Sequence, residues 1–445
     1  MSGWWVPGLA IGIVEDGKPV FRKTFGMRDT ETRAPVTANT LFGIGSVAKS
    51  MTALSFAISD AQNDLSLDSP VKSILPYFPA RITLRHLLSH TAGWPRHDAL
   101  WYLDAYNRHM LPRKLTRLSR FAAPGKSFQY NNVPFAAVGE FMTEFAGVPW
   151  DYWIRATVLD PAGMSDAVTG TAAFRNTKQR AAGYYPAADG RISIPLRDTD
   201  PVAPAGGVYA HLNDMIRYVQ LLANAGRRDG EQVVPAAAVR RLWQPTTPRY
   251  GLGMQIGSWR GEKLAFHPGA IDGYAARISI LPARRAGVIV LSNLSGETRV
   301  AQIVSQIALD CVVGAPPTDW LARLGPLRPD PEEKPEPPPV TNTDRNREAY
   351  TGAYQHPAYG PFLFDAPREN HTLTGTFHDR DIVLDYTGDD TWRLRETNWP
   401  LREGLPFRFQ NLENGKFQTL ATPLADGPSY RHNAGPLTFE RIHLP

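Results

Sequence analysis

A chain of 445 residues is longer than one hydrophobic core usually serves, so two or three structural units are expected. Hydrophobic residues at 42% and charged residues at 20% exclude a disordered chain, and no apolar run is long enough to cross a bilayer. The net charge of +5 fits an ordinary solvated surface, with no Lys/Arg run or nucleic-acid motif to supply a polymeric partner.

In chain order, residues 8–14 and 20–27 are β-prone runs joined by Glu15-Asp16-Gly17-Lys18, whose Asp-Gly pair predicts a hairpin. Helical spacing of apolar residues follows over 46–60, 83–90, 134–145, 150–159 and 213–225. Residues 274–281 and 287–291 form a second strand pair around Pro282-Ala283-Arg284-Arg285, and 298–312 reads as a helix. The economical layout is α/β (α+β): N- and C-terminal strands share one antiparallel sheet flanked by helices, with a helical insertion over about 45–205. One such α/β domain is thus expected over 1–324. Seven prolines between 325 and 339 predict an extended linker over 325–343. Short strands at 372–377, 381–386, 391–395, 407–409, 417–421 and 437–442 make 344–445 a small all-β barrel or sandwich.

The single cysteine, Cys311, rules out a disulfide framework and a cysteine metal site, and reads as a small core residue of the 298–312 helix. No H-E-x-x-H or metal-spaced His/Asp cluster is present, so no metal or organic cofactor is expected. Met1-Ser2-Gly3-Trp4-Trp5 lacks the basic and apolar regions of a signal peptide. The chain as written reads as cytoplasmic, and as exported if a leader has been removed. Compartment and oligomeric state stay open.

Ser46-Val47-Ala48-Lys49 opens an apolar helix after the flexible Gly43-Ile44-Gly45. Ser and Lys three apart at a helix start project on one side, so the amine can take the Oγ proton, and the helix N-terminus favours negative charge at Ser46. The motif alone is weak, since chance supplies roughly one S-x-x-K in a chain of this length. A second copy, Ser69-Pro70-Val71-Lys72, lies in a polar turn and reads as structural. A free lysine, with pKa about 10.4, must fall by about 3.4 pH units, about 4.6 kcal/mol, to be half neutral near pH 7. Such a site therefore calls for a partner to share the proton. Tyr130-Asn131-Asn132 offers one: Tyr130 to take the Ser46 proton and pass it to the leaving group, Asn132 to bond a substrate amide carbonyl. Alone, Y-x-N reads as an Asn-rich turn with a packed tyrosine. In His267-Pro268-Gly269-Ala270, His267 is a strand-borne cationic or polar group for a substrate carboxylate or for polarising Tyr130. Gly269 lets the substrate backbone come close. The N–H groups of Ala270 and Ser46 would make the oxyanion hole, and Pro268 suits an edge strand.

The order S-x-x-K, Y-x-N, H-x-G resembles the class C β-lactamase and penicillin-binding-protein superfamily. Further resemblance lies in Val6-Pro7-Gly8-Leu9-Ala10, residues 83–93 (TLRHLLSHTAG), Pro204-Ala205-Gly206-Gly207-Val208-Tyr209 and Tyr250-Gly251-Leu252-Gly253-Met254, spanning about 310 residues. The resemblance implies an α/β sheet domain with an all-helical insertion, nucleophile Ser46, partner Lys49, base Tyr130 and amide contact Asn132. His267 stands where a true class C lactamase usually has Lys, which weakens a β-lactamase assignment and favours the esterases, D-amino-acid peptidases and DD-peptidases. The tail from Tyr350-Thr351-Gly352-Ala353-Tyr354 resembles the lipocalin-like β domain appended to many such hydrolases. The expected partner is a small-molecule ester, amide or peptide substrate, with no nucleic acid and no membrane segment. Three outcomes share the acyl-Ser46 step: hydrolysis, transfer to an amine as in transpeptidation or peptide cyclisation, and a sensor acylated once. His90 and His211 read as structural. Trp94, Trp101, Tyr102 and Tyr106 either line the cleft or pack a loop.

Overall fold

Asp16 and Gly17, both at positive φ (47° and 74°), turn the chain between strand β1 (Gly8–Glu15) and β2 (Lys18–Asp29) as the Asp-Gly pair predicts. β3 (Ala34–Pro35) extends this edge. After helix α1 (Ala48–Gln62), helix α2 (Val133–Ala146) and helix α3 (Leu212–Ala223), the chain returns as β4 (Gln255–Trp259), β5 (Glu262–Ile271), β6 (Tyr274–Leu281) and β7 (Ala286–Ser292), then α4 (Val300–Val313). The seven strands form one sheet in the order β4-β5-β6-β7-β1-β2-β3, closed in the middle by the antiparallel β1–β7 pair. The computed structural model describes residues 5–103, 105–187, 190–296, 298–324, 339–341, 343, 345–365, 371–378, 380–395, 404–424 and 436–442. The proline-rich stretch 325–338 lies outside them. Among the described residues no helix is long and apolar enough to cross a membrane.

The chain divides into two compact units: Met1–Ala92 with Phe135–Glu332, and Gly93–Pro134 with Glu333–Pro445. In the first, α3 lies on one sheet face so closely that a Cβ at Gly12 would meet Ile216 at 2.5 Å, and one at Gly287 would meet Val219 at 2.6 Å. α4 covers the other face with Val300, Ile303 and Leu309. α1 is buried on every side from Ala48 to Ser59, as a helix at the centre of a core must be. Beside the helices, the insertion carries short strands at Val168–Thr169, Gly183–Ala187, Gly190–Ile194 and Val208–Ala210. Cys311 corrects one expectation: it is exposed, not core. It lies four residues beyond the exposed Ile307, on the helix stripe that faces away from the sheet.

Pro268 corrects another. β5 is not the sheet edge, but β4 pairs only with Glu262–Phe266, so the missing N–H falls where β5 has left β4 and is paired on one side with β6.

In the second unit eight strands, β8 (Gly352–His356), β9 (Gly360–Phe364), β10 (Thr372–Phe377), β11 (Arg380–Tyr386), β12 (Thr391–Leu394), β13 (Pro406–Glu413), β14 (Lys416–Thr422) and β15 (Leu437–Ile442), close a barrel in sequence order. Its interior is packed with aromatic rings: Phe362 stacks on Phe377 at 4.0 Å, and Tyr350 meets Trp392 edge-on at 5.1 Å. The expected small all-β barrel is thus present, with an aromatic core among the described residues.

Candidate active site

Ser46 sits in a single 3-10 turn, Gly45–Val47, that runs directly into α1. One turn on, Lys49 is fully buried, and its Nζ donates to Ser46 Oγ at 3.1 Å and to the Ala205 carbonyl at 2.9 Å. The same nitrogen lies 5.4 Å from the Phe135 ring centroid. The Ala205 carbonyl is held by its neighbour: Thr52 on α1 donates to Pro204 O at 2.8 Å. Ser50 ties the turn down by donating to Val47 O at 2.7 Å, with Tyr218 of α3 at 2.9 Å from its hydroxyl.

Two glycines bring β5 against this turn. A Cβ at Gly269 would lie 2.0 Å from the Ile44 carbonyl, and one at Gly45 would lie 2.8 Å from the Ala270 backbone nitrogen. Gly45 also has φ +50°, so no other residue combines that conformation and that approach without strain. The Ala270 N–H is thereby placed beside the backbone that carries Ser46. A third close approach, Gly253 against the Lys49 carbonyl (2.4 Å to an added Cβ), lays the Tyr250–Met254 segment on the first turn of α1.

Of the two alternatives for His267, cationic or polar, its surroundings favour the polar one. It is 1% exposed, and burial, then the Lys49 charge and Arg277, hold its pKa down at about 3, against a bond to Pro268 that works upward. It is therefore neutral at working pH. Its Nδ1 is 2.6 Å from the Pro268 carbonyl, which can only accept, so Nδ1 carries the proton and Nε2 accepts from the Tyr250 hydroxyl at 3.1 Å. Arg277 does not replace the missing cation. It pairs with Pro268 across β5–β6 and stacks on Phe266 at 4.5 Å, on the sheet face opposite His267.

Tyr130 and Asn132 belong to the second unit. The Arg96 guanidinium lies 5.5 Å from the Tyr130 ring centroid. Asn131 donates to Pro95 O at 2.6 Å and accepts from Val133 N at the start of α2. Asn132 donates to Asp98 Oδ1 at 2.9 Å, which commits one amide hydrogen. Asp98, fully buried, also accepts from Trp101 Nε1 at 2.9 Å and pairs with Arg96. Burial works to raise its pKa, but the Arg96 charge and the bonds from Trp101, Asn132 and Arg96 hold it below the ordinary carboxylate value. Trp94, Trp101, Tyr102 and Tyr106 are all buried in this unit, which favours packing over cleft lining.

His90 is buried against Phe135 and Tyr250. His211 caps α3, its Nδ1 accepting from Asp214 N at 3.0 Å and its Nε2 reaching Asp166 at 3.1 Å. Asp166, His211 and Asp214 form a spatial group that sequence spacing did not show, and both imidazole nitrogens are occupied within it. The second S-x-x-K copy is no site: Lys72 is exposed in a 3-10 turn. A cavity of about 350 Å³ between Asp29, Arg180, Tyr184, Ser193 and Tyr274 has none of the candidate residues in its wall. The sequence reading missed roles for Ala205, Phe135, Tyr250, Arg96 and Asp98. Ala205 and Tyr250 stood in segments that carried the resemblance, and Arg96-His97-Asp98 is a charged run among aromatics.

The model of the beta-lactamase family matches residues 2–310. The chain belongs to the beta-lactamase family. It is an enzyme, a serine hydrolase. Among curated beta-lactamase relatives, the unguisins hydrolase ungD' of Aspergillus campestris is 26% identical over 81% of this chain and 74% of its own. The D-aminopeptidase of Gluconobacter oxydans is 26% identical over 70% of this chain and 59% of its own. Among solved structures, the octameric penicillin-binding protein homologue from Pyrococcus abyssi shares the fold with a TM-score of 0.63 at 23% identity, over 95% of each chain, tail included.

Proposed function

We propose that the protein cleaves an amide or ester through an acyl-enzyme on Ser46, and that its natural substrates are small peptides or amides, including D-amino-acid ones, without a free carboxylate at the leaving side. The observation that carries this is the buried Lys49 amine 3.1 Å from Ser46 Oγ, beside a backbone N–H at Ala270. Ser46 Oγ bonds to the substrate carbonyl carbon, and its proton passes to the Lys49–Tyr130 pair. The C–N or C–O bond then breaks, the leaving group takes that proton, and water releases the acyl group by the reverse route. The role of Tyr130 rests on the family's Y-x-N motif.

The preference against a carboxylate rests on His267. A neutral imidazole that accepts from Tyr250 offers no charge to a carboxylate. The relatives named as a hydrolase and an aminopeptidase favour water over an amine as acceptor. Purified protein and a Ser46→Ala variant are to be assayed on p-nitrophenyl esters, D- and L-aminoacyl anilides, a D-Ala-D-Ala peptide and nitrocefin. Turnover of an ester or anilide, lost with Ser46, is expected. Turnover that survives in Ser46→Ala would overturn the assignment, and preferred cleavage of the D-Ala-D-Ala peptide would overturn the carboxylate argument.

A further inference from the structure

Within the second unit, the loop bearing Tyr130 is tied at every step to the short run Pro95-Arg96-His97-Asp98. Asn131 holds Pro95, Asn132 holds Asp98, and Arg96, paired with Asp98, lies over the Tyr130 ring. The residue between the two charges points elsewhere. His97, 3% exposed, has Nδ1 3.0 Å from the Tyr359 hydroxyl. Tyr359 is fully buried in the tight β8–β9 turn of the barrel. That turn is shaped by its own histidine: His356 Nδ1 accepts from the backbone N–H of Ala358 at 3.1 Å and of Tyr359 at 3.4 Å. A second seat lies nearby, where Tyr106 meets His378 edge-on at 5.3 Å. The facing of the run follows from these contacts. Arg96 and Asp98 therefore face the Tyr130 loop while His97 faces the barrel.

We infer that Arg96-His97-Asp98 is a positioning device that holds Tyr130 and Asn132 on the C-terminal barrel through the His97–Tyr359 contact, so that the barrel sets the efficiency of the Ser46 reaction. This rests on the reading of Tyr130 as the proton-handling partner of Lys49. A cation fixed over a phenol stabilises its ionised form, so Arg96 has a use beyond packing. The carboxylate of Asp98 fixes that cation and orients Asn132, and the charged or titratable groups that face His97 include Asp98, His356 and Tyr359. The barrel's packed aromatic rings form the base of this anchor. Arg96 and Asp98 are positioning residues, since neither is assigned a contact with substrate.

The test uses the full chain. Wild type, Arg96→Met, Arg96→Lys and Tyr359→Phe are compared for kcat and KM on a p-nitrophenyl ester across pH, with thermal unfolding and fluorophosphonate labelling of Ser46 in parallel. Arg96→Met is expected to lower kcat about tenfold or more and to move the rising limb of its pH profile to higher pH, with Arg96→Lys recovering most of both. Tyr359→Phe, which removes one hydroxyl, is expected to keep the fold and KM within about twofold while kcat falls several-fold with the same displacement of the limb. Wild-type kcat and limb in Tyr359→Phe, or losses that only track the folded fraction, would overturn the inference. If wild-type turnover does not depend on Ser46, the proposed function fails first. If it does and Tyr359→Phe is silent, only the positioning role of the barrel falls.

Discussion

Ser46-Val47-Ala48-Lys49 and Ser69-Pro70-Val71-Lys72 have the same spacing and stand 23 residues apart in one chain. Lys49 has no exposed surface, and its Nζ lies 3.1 Å from Ser46 Oγ, 2.9 Å from the Ala205 carbonyl and 5.4 Å from the Phe135 ring centroid. Lys72 is exposed, and the neighbouring backbone is an open polar turn in which Ser69 N bonds Ser66 O. Ser46 is also pressed against β5 through Gly45, while the chain at Ser69 meets the isolated Pro70–Thr83 bridge and a bond from Leu84 N. Reactivity follows from desolvation and fixed partners, and a three-residue offset supplies neither.

The largest way to sharpen this contrast is Lys49→Met. It is expected to lower kcat/KM by about 10⁴-fold, as loss of one member of a coupled nucleophile unit does. Steady-state kinetics on the best ester checks it, and a loss under tenfold would make the two copies more alike than their surroundings suggest.

Acid should separate them next. His267 beside Lys49 titrates at about 3 in the folded protein, well below the ordinary value near 6.5. Between these values the unfolded chain binds a proton that the folded chain refuses. The stability due to neutral His267 is thus complete above about pH 6.5 and falls with decreasing pH, by up to about 1.4 kcal/mol per pH unit. Urea unfolding of wild type and His267→Gln between pH 7 and 4.5 isolates its share, since His97, at about 4, adds a slope common to both. Parallel slopes in the two proteins would show that His267 is not the buried neutral group.

Gly45→Ala comes third. The added methyl would meet the Ala270 backbone at 2.8 Å at a φ of +50°, at a cost of about 1–3 kcal/mol. Activity should fall further than stability, because the displaced pair is Ser46 and the Ala270 N–H. A joint melt and kinetic measurement reads both. The smallest effect is Lys72→Met, expected within about 0.5 kcal/mol of wild type in stability and unchanged in kcat/KM.

Much of this was legible in order and spacing. The Asp16-Gly17 hairpin, the paired strands at 274–281 and 287–291 and most of the barrel strands follow from local alternation and turn chemistry, which act over a few residues. Gly45, Gly269 and Gly253 were visible as glycines in motifs, but the backbones they admit were not. Cys311 was misplaced because the helical phase of α4 depends on which stripe meets the sheet, and the apolar Ile307 on the outer stripe hides that phase in the sequence.

By itself, then, the sequence determined the elements, the order of the three motifs and the chemistry that Ser46, Lys49 and Tyr130 are able to perform, because covalent spacing and side-chain type are local properties. Tertiary structure alone decided which S-x-x-K is buried, that His267 is a neutral partner of Tyr250, and that Arg96-His97-Asp98 links the Tyr130 loop to the barrel. Each of these depends on desolvation and on contacts between residues tens to hundreds of positions apart, which folding sets and spacing does not.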